Sequence, residues 1–156
     1  MKRIICLFFL LLVGGPAAAA GIPSATNLAA TGSKARSQGK AVLVFYYQEQ
    51  CHFCDTARKG FLRPMLHSDS YTSRIIMRQV NIEADTPLTD FKGHETTHSQ
   101  FAARLGTRVT PIVALYGPDG HRLGKPLVGL KGGTAYYGHY LDGAIDEAVQ
   151  TLSAQR

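Results

Sequence analysis

Ala41-Val42-Leu43-Val44-Phe45-Tyr46-Tyr47, followed after three polar residues by Cys51-His52-Phe53-Cys54, is the stretch on which the fold turns. Seven consecutive apolar residues read as a strand buried on both faces. The two cysteines then stand where a helix-like segment opens. Separated by two residues at a helix start, they can close a small disulfide ring, and the first thiol meets the positive end of the helix dipole. That field lowers its pKa and gives a reactive thiolate near neutral pH. Val109-Thr110-Pro111-Ile112-Val113 follows later in the chain. The pairing of these two segments points to thiol–disulfide exchange.

Working outward, the helix opened by Cys51 runs to about Leu62, and Pro64 ends or kinks it. Upstream, Asn27 to Gln38 mixes small and basic residues and reads as a weak amphipathic helix stopped by Gly39. Downstream, Arg74 to Glu83 reads as a second strand, Ala84 to Gly93 as a loop, and Glu95 to Leu105 as a helix stopped by Gly106. Pro111 to Tyr116 is a third strand. Gly117-Pro118-Asp119-Gly120 is a turn signature, so the apolar stretch through Val128 pairs back on it as an antiparallel hairpin. Tyr137, Leu141, Ile145, Val149 and Leu152 repeat at helical spacing and make a C-terminal amphipathic helix. Strands alternating with helices imply parallel pairing, with the late hairpin as an antiparallel edge.

The chain has 156 residues, 45% of them apolar and 18% charged, which fits one globular domain with one adequate core. Residues 1–20 have a different logic. Lys2 and Arg3 precede the apolar run Ile4 to Val13, Gly14-Gly15-Pro16 breaks it, and Ala17 to Ala20 supply small residues for cleavage. This is the pattern of a cleavable secretory signal peptide, leaving residues 21–156 as a single domain and placing the protein in the periplasm. Cys6 lies inside the apolar run and leaves with it, so Cys51 and Cys54 are the mature chain's cysteines. A staple across two intervening residues removes little unfolded-state entropy, which favours a redox role for the pair. Loss of Lys2 and Arg3 leaves 15 basic against 11 acidic residues, a net charge of +4. The basic residues are scattered, without an aromatic-interleaved stripe, so nucleic acid is not an expected partner.

The order of elements, with Cys-x-x-Cys at the first strand-to-helix turn and Thr110-Pro111 before the third strand, resembles the thioredoxin-like superfamily over roughly residues 26 to 152. Within it the chain is similar to exported proteins of the sulfur-oxidation (SoxW) type, on Gln48-Glu49, the inserted loop Thr89-Asp90-Phe91-Lys92-Gly93, and Leu105-Gly106 before Thr110-Pro111. The resemblance implies an α/β fold, with a central mixed sheet of parallel strands and a C-terminal antiparallel hairpin, flanked by helices. It also implies a cis bond at Pro111 that sets the Thr110 backbone across from the cysteines as a substrate platform. Two departures stand out. The chain has no Trp and carries His52-Phe53 between its cysteines, where cytosolic thioredoxins have Gly-Pro, and Phe45 occupies the position of their buried acid.

The helix dipole and free backbone N–H groups act on the first cysteine, which makes Cys51 the nucleophile and Cys54, one turn in and more buried, the resolving thiol, with no cofactor beyond their own disulfide. Thr110, Pro111, His52 and Phe53 contact substrate, and Glu49 is a candidate for proton transfer. Partners are a disulfide-containing protein or a small thiol, and a membrane or periplasmic electron donor. The preferred direction is reduction; a protonated His52 would stabilise the thiolate and favour a disulfide oxidant instead. A copper carrier using the same thiols and a neighbouring His is the rival outside enzymes. His94-Glu95-Thr96-Thr97-His98 matches the short zinc-protease pattern, but Phe101 and Arg104 stand where an extended version needs Gly and His. Beside Gly93 it reads as a solvated surface turn, and no resident metal is expected. Asp55 after Cys54 argues against haem attachment, which needs a His there.

Overall fold

Strand β1 (Ala41–Tyr47) sorts its side chains strictly by parity. Ala41, Leu43 and Phe45 enter one core with Cys54, Leu62, Tyr137, Leu141 and Ile145. Val42, Val44 and Tyr46 enter a second core with Leu28, Leu88, Phe101 and Ala102. A period of two on a strand covered on both sides requires this division, because successive side chains point to opposite faces. The molecule, seen as a computed structural model, is described over residues 21–106 and 108–155. The leader expected at residues 1–20, with Cys6, lies outside the described residues.

In chain order the elements are α1 (Leu28–Gln38), β1, α2 (His52–Ala57), a π-helical turn (Arg58–Leu62), α3 (Arg63–Met65), α4 (Asp69–Thr72), β2 (Ile75–Asn81), β3 (Pro87–Thr89), β4 (Glu95–Thr97), α5 (His98–Ala103), β5 (Ile112–Tyr116), β6 (Leu127–Val128) and α6 (Gly133–Ala154). The main sheet has the order β2-β1-β5-β6. β1 and β2 are parallel, with Ala41 opposite Ile75 and Tyr47 opposite Asn81. The helical crossover between them covers one face together with α6, while α1 and α5 cover the other. The fold is thus the mixed α/β sheet with flanking helices that the sequence implies.

Details differ from expectation. β5 runs antiparallel to β1, with Val44 opposite Ala114, so helix–strand alternation holds for the first crossover and not for the second. The turn at residues 117–120 does return the chain to β5, but the edge strand β6 is two residues long. Pro64 does not stop its helix. Having no N–H, it cannot bond one turn back, and the preceding turn widens so that Arg63 N–H reaches Arg58 O.

The largest correction falls on residues 87–98. Glu95–Thr97 is a strand pairing antiparallel with Pro87–Thr89, not the first turn of a helix, and the helix starts only at His98 with Thr97 Oγ1 accepting from Gln100 N–H. β-Branched Thr96 and Thr97 suit a pleated pair better than a helix interior. The same shift dismantles the zinc-like motif, since His94 sits in the hairpin loop and His98 on the far side of β4. His98 is not solvated, being 2% exposed. Its Nδ1 accepts from Asn81 N–H at 3.1 Å, which puts the ring proton on Nε2, 2.7 Å from the Ala25 carbonyl. It ties the N-terminal segment to β2.

Candidate active site

Gln48, Glu49 and Gln50 carry the chain from the end of β1 to Cys51, and Gln50 adopts the left-handed conformation (φ 55°). That conformation costs a non-glycine residue about 1 kcal/mol, and here it swings the backbone into the helix. Cys51 is the N-cap of α2: its Sγ accepts from Cys54 N–H at 3.1 Å and its carbonyl from Asp55 N–H at 3.0 Å. The two cysteines are joined, with Cα atoms 5.2 Å apart. Cys51 is half-buried and Cys54 fully buried, so one sulfur faces outward with the other behind it.

Across from the pair, the Thr110–Pro111 bond is cis, as the resemblance implies. Thr110 Oγ1 lies 3.6 Å from Cys51 Sγ and donates to Gln48 Oε1 at 2.7 Å. Thr110 precedes β5, so its backbone lies outside the sheet ladders, whereas the Pro111 carbonyl already accepts from Gly129 N–H at 2.8 Å. His52 and Phe53 are exposed, the Phe53 ring 60% so, with ring centroids 5.9 Å apart. Glu49 is directed elsewhere: its carboxylate accepts from Asn81 Nδ2 at 3.2 Å, and among the described residues it makes no hydrogen bond to either cysteine.

Behind the pair, Phe45 stacks on Tyr47 with centroids 5.9 Å apart. The Arg58 guanidinium lies over both rings, 4.4 Å from the centroid of Tyr47 and 5.4 Å from that of Phe45. Burial, reinforced by Glu49, pushes the Tyr47 hydroxyl pKa up, against the opposing pull of Arg58. Asp55 is held below the usual carboxylate range by its hydrogen bond to Lys59, then by the Lys59 charge and by Arg58.

The structure brings Cys51, Cys54, Thr110 and Pro111 together and sets three further residues around them, Gln48, Arg58 and Glu83. In the sequence Gln48 carries a signal only through the resemblance, and Arg58 and Glu83 carry none by motif. The signal for Glu83 lies in strand register: Tyr47 faces Asn81, so residues just beyond the two strand ends are neighbours. Gln48 Nε2 donates to Glu83 Oε1 at 2.8 Å. A metal carrier would rely on the reduced thiols and His52. Among the described residues, no three His, Cys, Asp or Glu side chains converge where a metal ion could be held. No helix among them is long and apolar enough to cross a membrane.

Solved structures share this fold. Mitochondrial thioredoxin 3 from Saccharomyces cerevisiae, in its oxidised form, superposes with a TM-score of 0.52 at 17% identity, covering 80% of this chain and 94% of its own. A poplar thioredoxin h gives 0.53 at 17% identity over 79% and 97%, and a thioredoxin-fold protein from Helicobacter pylori gives 0.52 at 15% over 76% and 87%. At such identities the likeness is one of fold. No curated protein sequence matches the chain. The family model for the thioredoxin-like domain matches residues 28–136, well over half of the chain, and the chain therefore belongs to that thioredoxin-like family.

Proposed function

We propose that the protein is an exported thiol–disulfide oxidoreductase of the sulfur-oxidation type, working in the reducing direction on disulfides of proteins or small molecules. The fold and the disulfide-capable pair support thiol–disulfide oxidoreductase chemistry in general. The observation that supports attack through Cys51 is its half-buried sulfur, backed by a buried Cys54 and faced by Thr110 beside a cis proline. Export rests on the basic, apolar and small-residue pattern of residues 1–20.

In the reduced protein the Cys51 thiolate attacks one sulfur of a substrate disulfide. A Cys51–substrate disulfide forms and the other substrate sulfur leaves as a thiolate, which takes up a proton. Cys54 loses its proton, attacks Cys51 Sγ, and expels the second substrate thiolate as the Cys51–Cys54 disulfide closes. Two electrons pass to the substrate, and a periplasmic or membrane donor restores the dithiol. The Cys54 N–H that already points at Cys51 Sγ stabilises the attacking thiolate. Thr110's backbone, outside the sheet ladders, offers hydrogen bonds to an extended substrate segment, with the exposed Phe53 ring as apolar contact.

Insulin reduction with a dithiol donor tests this reading. The purified protein should accelerate it, Cys51→Ser should abolish the acceleration, and Cys54→Ser should accumulate mixed disulfides on Cys51. An intact protein without activity would sink the reductase reading, and a strongly oxidising couple would reverse the direction.

A further inference from the structure

Among the described residues, the Cys51 sulfur faces one side-chain hydroxyl, that of Thr110. This hydroxyl has one proton, and a carboxylate at the far end of a hydrogen-bonded chain decides where it goes. Glu83 Oε1 accepts from Gln48 Nε2 at 2.8 Å, so the Gln48 amide presents its NH₂ there. Gln48 Oε1 is thereby turned toward Thr110. A carbonyl oxygen only accepts, and the 2.7 Å bond therefore commits the Thr110 proton to Gln48. What remains toward Cys51 is a lone pair.

Building on the reductase reading, we propose that Gln48 and Glu83 are positioning residues: they aim a Thr110 lone pair, not its proton, at Cys51 and so hold the Cys51–Cys54 couple toward the reducing side. A Cys51 thiolate has no proton to give that lone pair and is repelled by it, so the thiolate is the form this arrangement destabilises. Reduction of the disulfide takes two electrons and two protons and gives two thiols. Where Cys51 then readily loses its proton, the ionisation draws the equilibrium toward the reduced form and makes the couple oxidising. An acceptor facing Cys51 opposes that ionisation, so the dithiol yields its electrons more readily. The Cys54 N–H and the helix dipole act the other way, and the chain through Thr110 moderates them.

Gln48→Leu removes the acceptor and frees the Thr110 proton for a thiolate. Two measurements report the result: the ionisation of Cys51 in the reduced protein, followed by ultraviolet thiolate absorption, and the redox equilibrium with glutathione. The Cys51 pKa should fall by about one unit, and the equilibrium should move about tenfold, ~30 mV, toward the oxidising side. Glu83→Leu, at an exposed side chain, lets the Gln48 amide turn over and should shift both readouts the same way by less. It also carries the test if Gln48→Leu does not fold. In a Thr110→Val background Gln48→Leu should move neither quantity. Glu49, His52, Asp55, Arg58 and Arg108, the charged groups of the surrounding turn, helix and loop, are common to all variants and cancel. An unchanged or raised pKa in Gln48→Leu, or a shift that survives in Thr110→Val, overturns the proposal. Neither readout needs a substrate, so failure to reduce insulin would overturn the functional reading separately.

Discussion

Asp90 and Cys51 both sit in loops that follow a strand, and they use their acceptor capacity in opposite ways. Asp90 is 1% exposed. Its Oδ1 accepts from the N–H groups of Lys92 and His94 at 2.9 and 3.0 Å, and its Oδ2 from Arg104 at 2.7 Å. The hairpin loop between β3 and β4 closes on this one buried carboxylate. The Cys51 turn is left open: among the described residues its sulfur has one backbone donor, a hydroxyl whose proton points away, and exposed neighbours at His52 and Phe53. A filled network holds shape and accepts no newcomer. An unfilled one beside a rigid strand leaves room for a second sulfur to arrive.

Breaking the two loops should therefore damage different properties. The largest effect belongs to the open loop: Cys51→Ser should bring disulfide reduction down to the uncatalysed background while the fold persists by circular dichroism. Partial activity in that variant would mean that Cys54, not Cys51, makes the first attack. For the closed loop the expected loss is one of stability. Burial alone would raise the Asp90 pKa, but the Arg104 hydrogen bond, the N–H groups of His94 and Lys92 and the Arg104 charge outweigh it and hold the group at about 2. A folded-state pKa below the unfolded value stabilises the protein above about pH 4, and the contribution is lost as pH falls through about 2. Asp90→Asn should cost about 2 kcal/mol at pH 7 with turnover per folded molecule unchanged. The difference from wild type in urea unfolding should shrink toward pH 3. A constant difference across that range would show that the carboxylate's charge is not what the loop depends on.

The contrast also explains which parts of the molecule could be read in advance. β1 was legible because its apolar run depends only on its own residues, and the cysteine pair because its chemistry is local. The pairing of Glu95–Thr97 with Pro87–Thr89 was not, since the segment carries a helix stop at Gly106 and its strand character appears only when a partner strand lies beside it. The burial of His98 depends on Ala25 and Asn81, 73 and 17 residues away in sequence. Gln48 and Glu83 meet only because β1 and β2 end in register. Motifs thus located the reactive sulfur, while the groups that orient its surroundings came from strand pairing. The antiparallel direction of β5 was hidden for a similar reason, because a long connection through α5 can return either way.

A smaller effect tests whether the hairpin side of the molecule is as closed as Asp90 indicates. Gly32, on the buried side of α1, lies against the turn after β5, and an added Cβ would overlap the Pro118 carbonyl oxygen. Helix propensity alone would favour Ala over Gly by about 1 kcal/mol, but overpacking against backbone costs about 1–3 kcal/mol. Gly32→Ala should thus destabilise by about 1 kcal/mol net and leave the redox equilibrium with glutathione where it was. Stabilisation instead would show that α1 and the turn can slide apart, and that this side is looser than its hydrogen bonds imply.

The smallest expected effect on the fold belongs to Phe53, and it sharpens the description of the open loop. A ring 60% exposed between two cysteines buries little area, so Phe53→Ala should change unfolding free energy by no more than about 0.5 kcal/mol. Its cost should appear in binding. Contact with a polypeptide removes the ring's apolar surface from water only while substrate is bound, so KM for a protein disulfide should rise several-fold with kcat little changed. Reduction of a small disulfide, which cannot reach across the ring, should be unaffected. If both substrates suffer equally, Phe53 acts on the sulfur and not on the partner, and the open surface around Cys51 is narrower than its exposure suggests.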